Sequence, residues 1–230
     1  MKYLSLHILF LIIVISCSAQ DVDQELKNIF NVYTDANSIL FRLEVNVSNQ
    51  LNRSEKTKTT EYTVKIAGNN YYSSQVDNIL ILNKEYFLMV DHRQRIVILD
   101  STRNRYNANQ FNPTAILDSF LSKAKTKEWE SLNETSAHIS LGFEKEEIRK
   151  IDLFYNTQTN EYQRIIYTYN KDYLRGQNKV PIIEIVFKYF QKNVEFDEND
   201  FSIESYVVKN NKELTLSKAY GTYQLFNQIK

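Results

Sequence analysis

Few residues of this chain could do chemistry, and they do not cluster. Histidine occurs as His7, His92 and His138, and cysteine only as Cys17. A histidine base needs an orienting partner, and a nucleophile needs a base within hydrogen-bond reach. Neither His92 nor His138 has a second histidine at ligand spacing. His92 falls in the charged turn Asp91-His92-Arg93-Gln94 and is expected to be solvated there. His138 falls on an expected strand, as a surface or packed residue. Carboxylates collect at Glu144, Glu146 and Glu147, and again at Glu195, Asp197, Glu198 and Asp200. The second group lacks the Asp-x-Asp-x-Asp-Gly spacing with a distal Glu that a calcium loop uses. It reads as a solvated loop, with Asp197 or Asn199 capping a helical turn. No HExxH, GxSxG, phosphate-loop or GxGxxG pattern occurs. The expectation is a non-enzyme with no catalytic residues, no metal and no cofactor. Tyr71-Tyr72 and the group Tyr162, Tyr167, Tyr169 and Tyr173 could form a carbohydrate platform, although tyrosines on strands ordinarily pack.

The chain has 230 residues and a formal net charge of 0. Near-neutrality argues against nucleic acid as a partner, because such proteins carry a basic excess. It argues equally against a polybasic binder of membrane surfaces. Gly occurs 4 times and Pro 2 times, against 16 Tyr and 13 Phe, which favours strands. A hydrophobic fraction of 43% suffices for a packed core.

The first residues look like an export signal: Lys2, then the apolar run Tyr3 to Ile15, then Ser16-Cys17-Ser18-Ala19-Gln20. At about 1.5 Å per residue the apolar run is too short to cross roughly 30 Å of bilayer. Residues 1–19 are thus expected to be a signal peptide, and the protein to be exported to the periplasm. Cys17 has two readings. Val14-Ile15-Ser16-Cys17 resembles a lipobox, with Cys17 as a lipidated N-terminus on the outer membrane. Alternatively, cleavage follows Ala19. In either case the domain has no disulfide.

The elements follow from periodicity. Asp21 to Leu40 reads as a helix, with Val22, Leu26, Ile29, Phe30 and Tyr33 on one face and Asp21 or Asp23 as cap. Ile39 to Val47 alternates as a half-buried strand, Leu51 to Thr60 reads as a polar hairpin loop, and Tyr62, Val64 and Ile66 return. Ile79–Leu82, Tyr86–Val90 and Arg95–Leu99 form a meander. Asn112-Pro113-Thr114 opens a second helix, with Ile116, Leu117, Phe120 and Leu121 as its stripe. Strands follow at about 136–144, 148–156, 161–169 and 181–190, with short ones at 202–208 and 214–217 and a tyrosine-rich end at 220–227. Several strands are apolar on both faces, so something must cover the second face.

This order resembles the LolA-like lipoprotein-carrier family of the bacterial periplasm. The likeness covers roughly residues 20 to 208. It rests on the helix ending in Ser38-Ile39-Leu40-Phe41, the hairpin Asn78 to Asp91, the strand Arg95-Ile96-Val97-Ile98 and the helix opening Asn112 to Leu117. The strands Ile148 to Phe154, Glu161 to Tyr169 and Ile183 to Phe190, with Asn193 and Phe201 after them, complete it. The chain departs from the family at Gly68-Asn69-Asn70-Tyr71-Tyr72, where a proline-and-arginine segment is usual, and at its end, Leu214 to Lys230. The resemblance implies a single domain over 20–230 of class α+β. This would be an incomplete antiparallel β-barrel, a strongly curved sheet of about ten strands, with an N-terminal helix and a lid helix at 113–125 on the concave face. It implies a carrier that shelters acyl chains of a lipid or lipoprotein, with Leu88, Val90, Ile116, Leu117, Phe120, Phe187 and Tyr189 as lipid-binding residues. Inner- or outer-membrane envelope proteins are the expected further partners, and the chain is expected to be a monomer. The alternative is an envelope scaffold of the same fold that acts through protein contacts.

Overall fold

Asp21 caps the helix that follows it. In the computed structural model, which describes residues 21–49, 52–101, 121–173, 180–210 and 213–229, its carboxylate accepts the backbone N–H groups of Asp23 at 3.0 Å and Gln24 at 3.4 Å. Helix α1 then runs Val22–Thr34. It carries Asp23 and Glu25 in its first turn, where carboxylates suit the positive end of the helix dipole. Its buried stripe is Leu26, Ile29 and Tyr33. The helix stops at Thr34, one residue past its apolar stripe and short of the expected bound at Leu40. Residues 38–41, Ser-Ile-Leu-Phe, are recruited into a strand whose alternate side chains bury on two neighbours.

Fourteen strands occur among the described residues. They are β1 (Ser38–Asn49), β2 (Asn52–Ala67), β3 (Asn70–Ser74), β4 (Asn78–Leu82), β5 (Tyr86–Asp91), β6 (Ile96–Ser101) and β7 (Thr126–Asn133). The rest are β8 (Ser136–Gly142), β9 (Ile148–Asn156), β10 (Tyr162–Tyr169), β11 (Pro181–Lys192), β12 (Val207–Asn210), β13 (Glu213–Leu216) and β14 (Gln224–Asn227). Twelve form one open sheet in the order β14-β6-β5-β4-β3-β2-β1-β11-β10-β9-β8-β7, and β12 and β13 form a separate hairpin. Two meanders, β2 to β6 and β7 to β11, thus flank β1. Every pairing in the large sheet is antiparallel except β14 with β6. A sheet this wide, twisted as strands twist, curls rather than lying flat. The result is the α+β incomplete barrel with an N-terminal helix that the resemblance implied.

The strands expected from the sequence lack β3, β7, β14 and the first half of β2. Residues 52–60 continue β2 rather than forming a loop, because this segment pairs with β1 up to the hairpin end. β7 escaped notice because it is an edge strand, exposed at most positions, whose polar sequence carries no alternating signal.

Asn193 joins the ends of β1 and β11. Its side-chain oxygen accepts the N–H of Asn37 at 3.1 Å, and its own N–H donates to the Ser38 carbonyl at 2.8 Å. It sits at φ 56°, a left-handed conformation that asparagine tolerates better than most residues.

The two faces of the sheet differ. On the face that carries α1, here the helix face, one continuous core joins Leu26, Ile29 and Tyr33 to Phe41, Val64, Leu82, Leu153 and Ile165, among others. A second, smaller core lies on the back face of β4 to β6. There Ile81, Leu88, Val90, Val97 and Leu99 pack beneath Ile203, Val207 and half-buried residues of the C-terminal segment, including Tyr206, Leu216, Tyr220 and Leu225. The chain's own end therefore covers the second apolar face of the central meander.

Candidate functional site

Strand alternation decides where each expected lipid-binding residue points. Leu88 and Val90 are fully buried on the back face, under the C-terminal segment. Phe187 lies half-buried on the helix face, edge-on to Phe41 at 5.6 Å and tilted against Tyr162 at 5.5 Å. Tyr189 lies on the back face and is 42% exposed, with Arg42 5.5 Å over its ring and its hydroxyl donating to Gln191 at 2.5 Å. Leu88, Val90 and Tyr189 thus share no wall with Phe187, which corrects their expected grouping. The physical reason is parity. In β5 both alternate sets are apolar, and it is Phe87 and Met89 that share a face with α1. Ile116, Leu117, Phe120, most of the expected lid helix 113–125, and Cys17 lie outside the described residues.

A bulge explains how Phe187 reaches the helix face. Leu43 pairs with Phe187 and Arg42 with Tyr189, so Lys188 is an extra residue in β11. Lys188 turns to the back face, where its ammonium lies 3.0 Å from Glu44.

The helix face carries more than a closed core. Tyr62, Leu80, Met89, Tyr167, Ile185 and Phe187 are only half-buried, yet they pack against it. They belong to β2, β4, β5, β10 and β11, on both sides of β1. The outcome is a broad apolar surface beside α1. Its tyrosines stay neutral: burial pushes the Tyr62 and Tyr71 phenols up, and that of Tyr167 to about 12. Apart from Phe187, expected as a lipid-binding residue, and Tyr167, placed in the possible carbohydrate platform, the sequence does not mark these positions as a site. The legible signal was there: Tyr62, Phe41 and Leu43 alternate in register, and pairing through Tyr71 carries the same face to Leu80 and Met89.

Helix α1 is tied to this surface at three places. Tyr33 accepts the N–H of Tyr162 at 2.6 Å. Tyr155 donates its hydroxyl to Glu25 at 2.8 Å and accepts the Trp129 indole N–H at 2.9 Å. Lys127 lies 2.5 Å from Asp23. β7, the edge strand, thus supplies two of the groups that hold the helix.

A cleft of about 540 Å³ opens at the end of the sheet where the β4–β5 turn meets residues 194–204. Asn70, Asn83, Lys84, Glu85, Phe196 and Phe201 are among its lining residues. Phe196 and Phe201 meet edge-to-face at 5.5 Å, and Lys65 pairs with Asp200 while lying over the Tyr72 and Phe196 rings. The capped turn expected there is present: Asp197 accepts the N–H of Asn199 at 2.9 Å, and Asp200 accepts that of Asp197 at 3.0 Å. Among the described residues, none of the expected lipid-binding residues lines this cleft, whereas Asp197 of the carboxylate group does.

His92 and His138 are engaged structurally. His138 places Nε2 2.8 Å from Asp152 and Nδ1 3.9 Å from Glu130, and it stacks on Phe154 at 4.6 Å. Both ring nitrogens face carboxylates, so neither is aimed at a nucleophile. Arg164 covers the Phe154 ring at 3.9 Å and reaches Glu184 at 3.5 Å, which extends a polar ladder over the back face of β8 to β11. His92 is more enclosed than its turn suggested. Its Nδ1 lies 3.0 Å from the Tyr223 hydroxyl, and its ring packs on Tyr220 and Tyr223. Among the described residues no three His, Cys, Asp or Glu groups are placed to hold a metal ion, and no helix is long and apolar enough to cross a membrane.

No family model and no curated protein matches the chain. Among solved structures, an uncharacterized conserved protein from Thermus thermophilus matches at TM-score 0.49 and 6% identity, over 91% of this chain and 100% of that one. A LolA superfamily protein from Nitrosomonas europaea matches at TM-score 0.38 and 10% identity, over 80% and 98%. The Mycobacterium tuberculosis lipoprotein LppX matches at TM-score 0.40 and 9% identity, over 78% and 100%. None of these likenesses carries a ligand, an activity or a partner over to this chain.

Proposed function

We propose that the chain is an exported, non-enzymatic carrier that shelters acyl chains of a lipid or lipoprotein against the helix face of its sheet. One observation supports this reading above the others: the half-buried apolar surface formed by Tyr62, Leu80, Met89, Tyr167, Ile185 and Phe187 beside α1. Each methylene buried against such a surface contributes about 0.8 kcal/mol. An acyl chain lying across several strands would gain enough to leave a membrane and still be released. The two-sided apolar character of β4 to β6 is not part of the support, because the C-terminal segment accounts for it.

Native mass spectrometry of the protein purified from its own cell envelope tests the reading. The expected result is a co-purifying lipid or acylated peptide, which delipidated protein exchanges for added fatty acid. The N-terminal mass separates cleavage after Ala19 from lipidation at Cys17. Protein that carries no lipid and takes up no fatty acid would overturn the carrier reading in favour of a scaffold that works through protein contacts.

A further inference from the structure

One buried group on the helix face is left unexplained by packing. Tyr162 is 3% exposed, and among the described residues its hydroxyl has no hydrogen-bond partner. Its backbone N–H is used by Tyr33, whose ring stacks on its own at 4.8 Å and 14°. Other hydroxyls of the site do find partners, as Tyr155 does in Glu25 and Trp129. Burial holds the Tyr162 phenol protonated, so it keeps an O–H donor in apolar surroundings. A phenylalanine would fill the same space without an unmet donor, and proteins seldom leave such groups unsatisfied without a use for them.

The position of the ring indicates the use. Tyr162 stands where the core under α1 meets the half-buried surface. On one side are Tyr33 and the end of the helix; on the other is Phe187, 5.5 Å away, followed along β11 by Ile185 on the same face. Hydrocarbon lying along Ile185 and Phe187 would reach the ring that carries this donor, whose oxygen is closed to solvent until an acyl group displaces its cover. We propose that Tyr162 is the polar stop of the acyl site, and that its hydroxyl donates to the carbonyl oxygen of an ester- or amide-linked acyl group. This rests on the carrier reading and narrows its ligand: acyl chains with their carbonyl are selected over plain alkyl chains. No bond is made or broken; one hydrogen bond is gained in the complex. Tyr33 and Tyr167 are the other phenols near Tyr162, and both stay neutral for the same reason, burial.

The test compares a monoacylglycerol with the 1-O-alkylglycerol of equal chain length, bound to delipidated wild-type protein and to the Tyr162→Phe variant and followed by calorimetry. The ester should bind wild type about tenfold more tightly than the ether, as one neutral hydrogen bond allows. In Tyr162→Phe that ratio should fall to about one. Without ligand the variant should melt about 2–4 °C higher, since it loses an unsatisfied donor. Equal binding of ester and ether by wild type, or an unchanged ratio in the variant, overturns the proposal and leaves the carrier reading standing. If neither compound binds wild type, the carrier reading fails and takes this inference with it. Should Tyr162→Phe not fold, Phe187→Leu serves as the second variant: it should weaken both compounds equally and keep the ester preference, and loss of the preference there would overturn the proposal too.

Discussion

The phenol oxygen of Tyr33 accepts a 2.6 Å hydrogen bond from the backbone N–H of Tyr162, so the last turn of α1 is pinned to the first residue of β10. Both residues are buried, out of reach of water that could replace the lost acceptor. Tyr33→Phe should therefore cost about 1–3 kcal/mol, the usual consequence of stranding a buried donor. Urea unfolding of the variant measures it. A loss within a few tenths of a kcal/mol would mean that stacking on Phe41, Tyr162 and Phe190 holds the helix without the pin.

Tyr155 links Glu25 of α1 to Trp129 of the edge strand. Trp129 is the single tryptophan, so its emission reports on this junction alone. Tyr155→Phe should shift the emission to the red as β7 loosens, with a stability loss of about 1 kcal/mol. An unshifted spectrum would show that strand pairing with β8 fixes Trp129 unaided.

Adjacent residues of β5 should behave in opposite ways. Leu88→Ala opens a hole in the back core and should cost about 2–5 kcal/mol, with fatty-acid uptake by the folded fraction unchanged. Met89→Glu places a charge on the half-buried helix face and should abolish uptake while the thermal transition stays cooperative. Uptake lost in Leu88→Ala and retained in Met89→Glu would move the site to the other face.

Alkaline pH should weaken the fold through its tyrosines. Burial raises the Tyr155, Tyr167 and Tyr206 phenols from 10.0 to about 12. A raised folded pKa means that the native state binds protons more tightly than the unfolded state does. The stability so contributed is fully present below pH 10.0 and is lost as pH climbs towards about 12. Urea midpoints should be level from neutral pH to about 10 and fall above it, less steeply in Tyr206→Phe. A midpoint that rises in that range would contradict the assigned burial of these rings.

Some of this was legible in the residues and some was not, for identifiable reasons. The start of α1 was readable because a cap and an apolar stripe coincide at Asp21, Leu26, Ile29 and Tyr33. Its end was not, because the helical reading ran to Leu40 and overlapped the strand reading from Ile39, and pairing with β2 and β11 decides. β5 is apolar on both faces, and its two apolar sets give no hint of which meets the helix. That requires the register of β3, β4 and β5, a long-range fact. The cover on Leu88 and Val90 was hidden for a similar reason. Tyr206, Leu216 and Leu225 look like scattered apolar residues until the chain end folds back on β4 to β6. The polar segments 52–60 and 126–133 became strands because their backbones had partners, not because their side chains had a core to fill.

The order of strands also bears on how the molecule assembles. Within each meander every strand pairs with its neighbour in sequence, so both halves can zip up through hairpins that close short loops cheaply. In the large sheet only β1–β11 and β6–β14 join segments distant along the polypeptide. Those two closures should set the refolding rate, since non-local pairing is the slow step in β proteins. Until the second of them forms, the outer rim of β6 keeps its backbone N–H and C=O groups open to another partner.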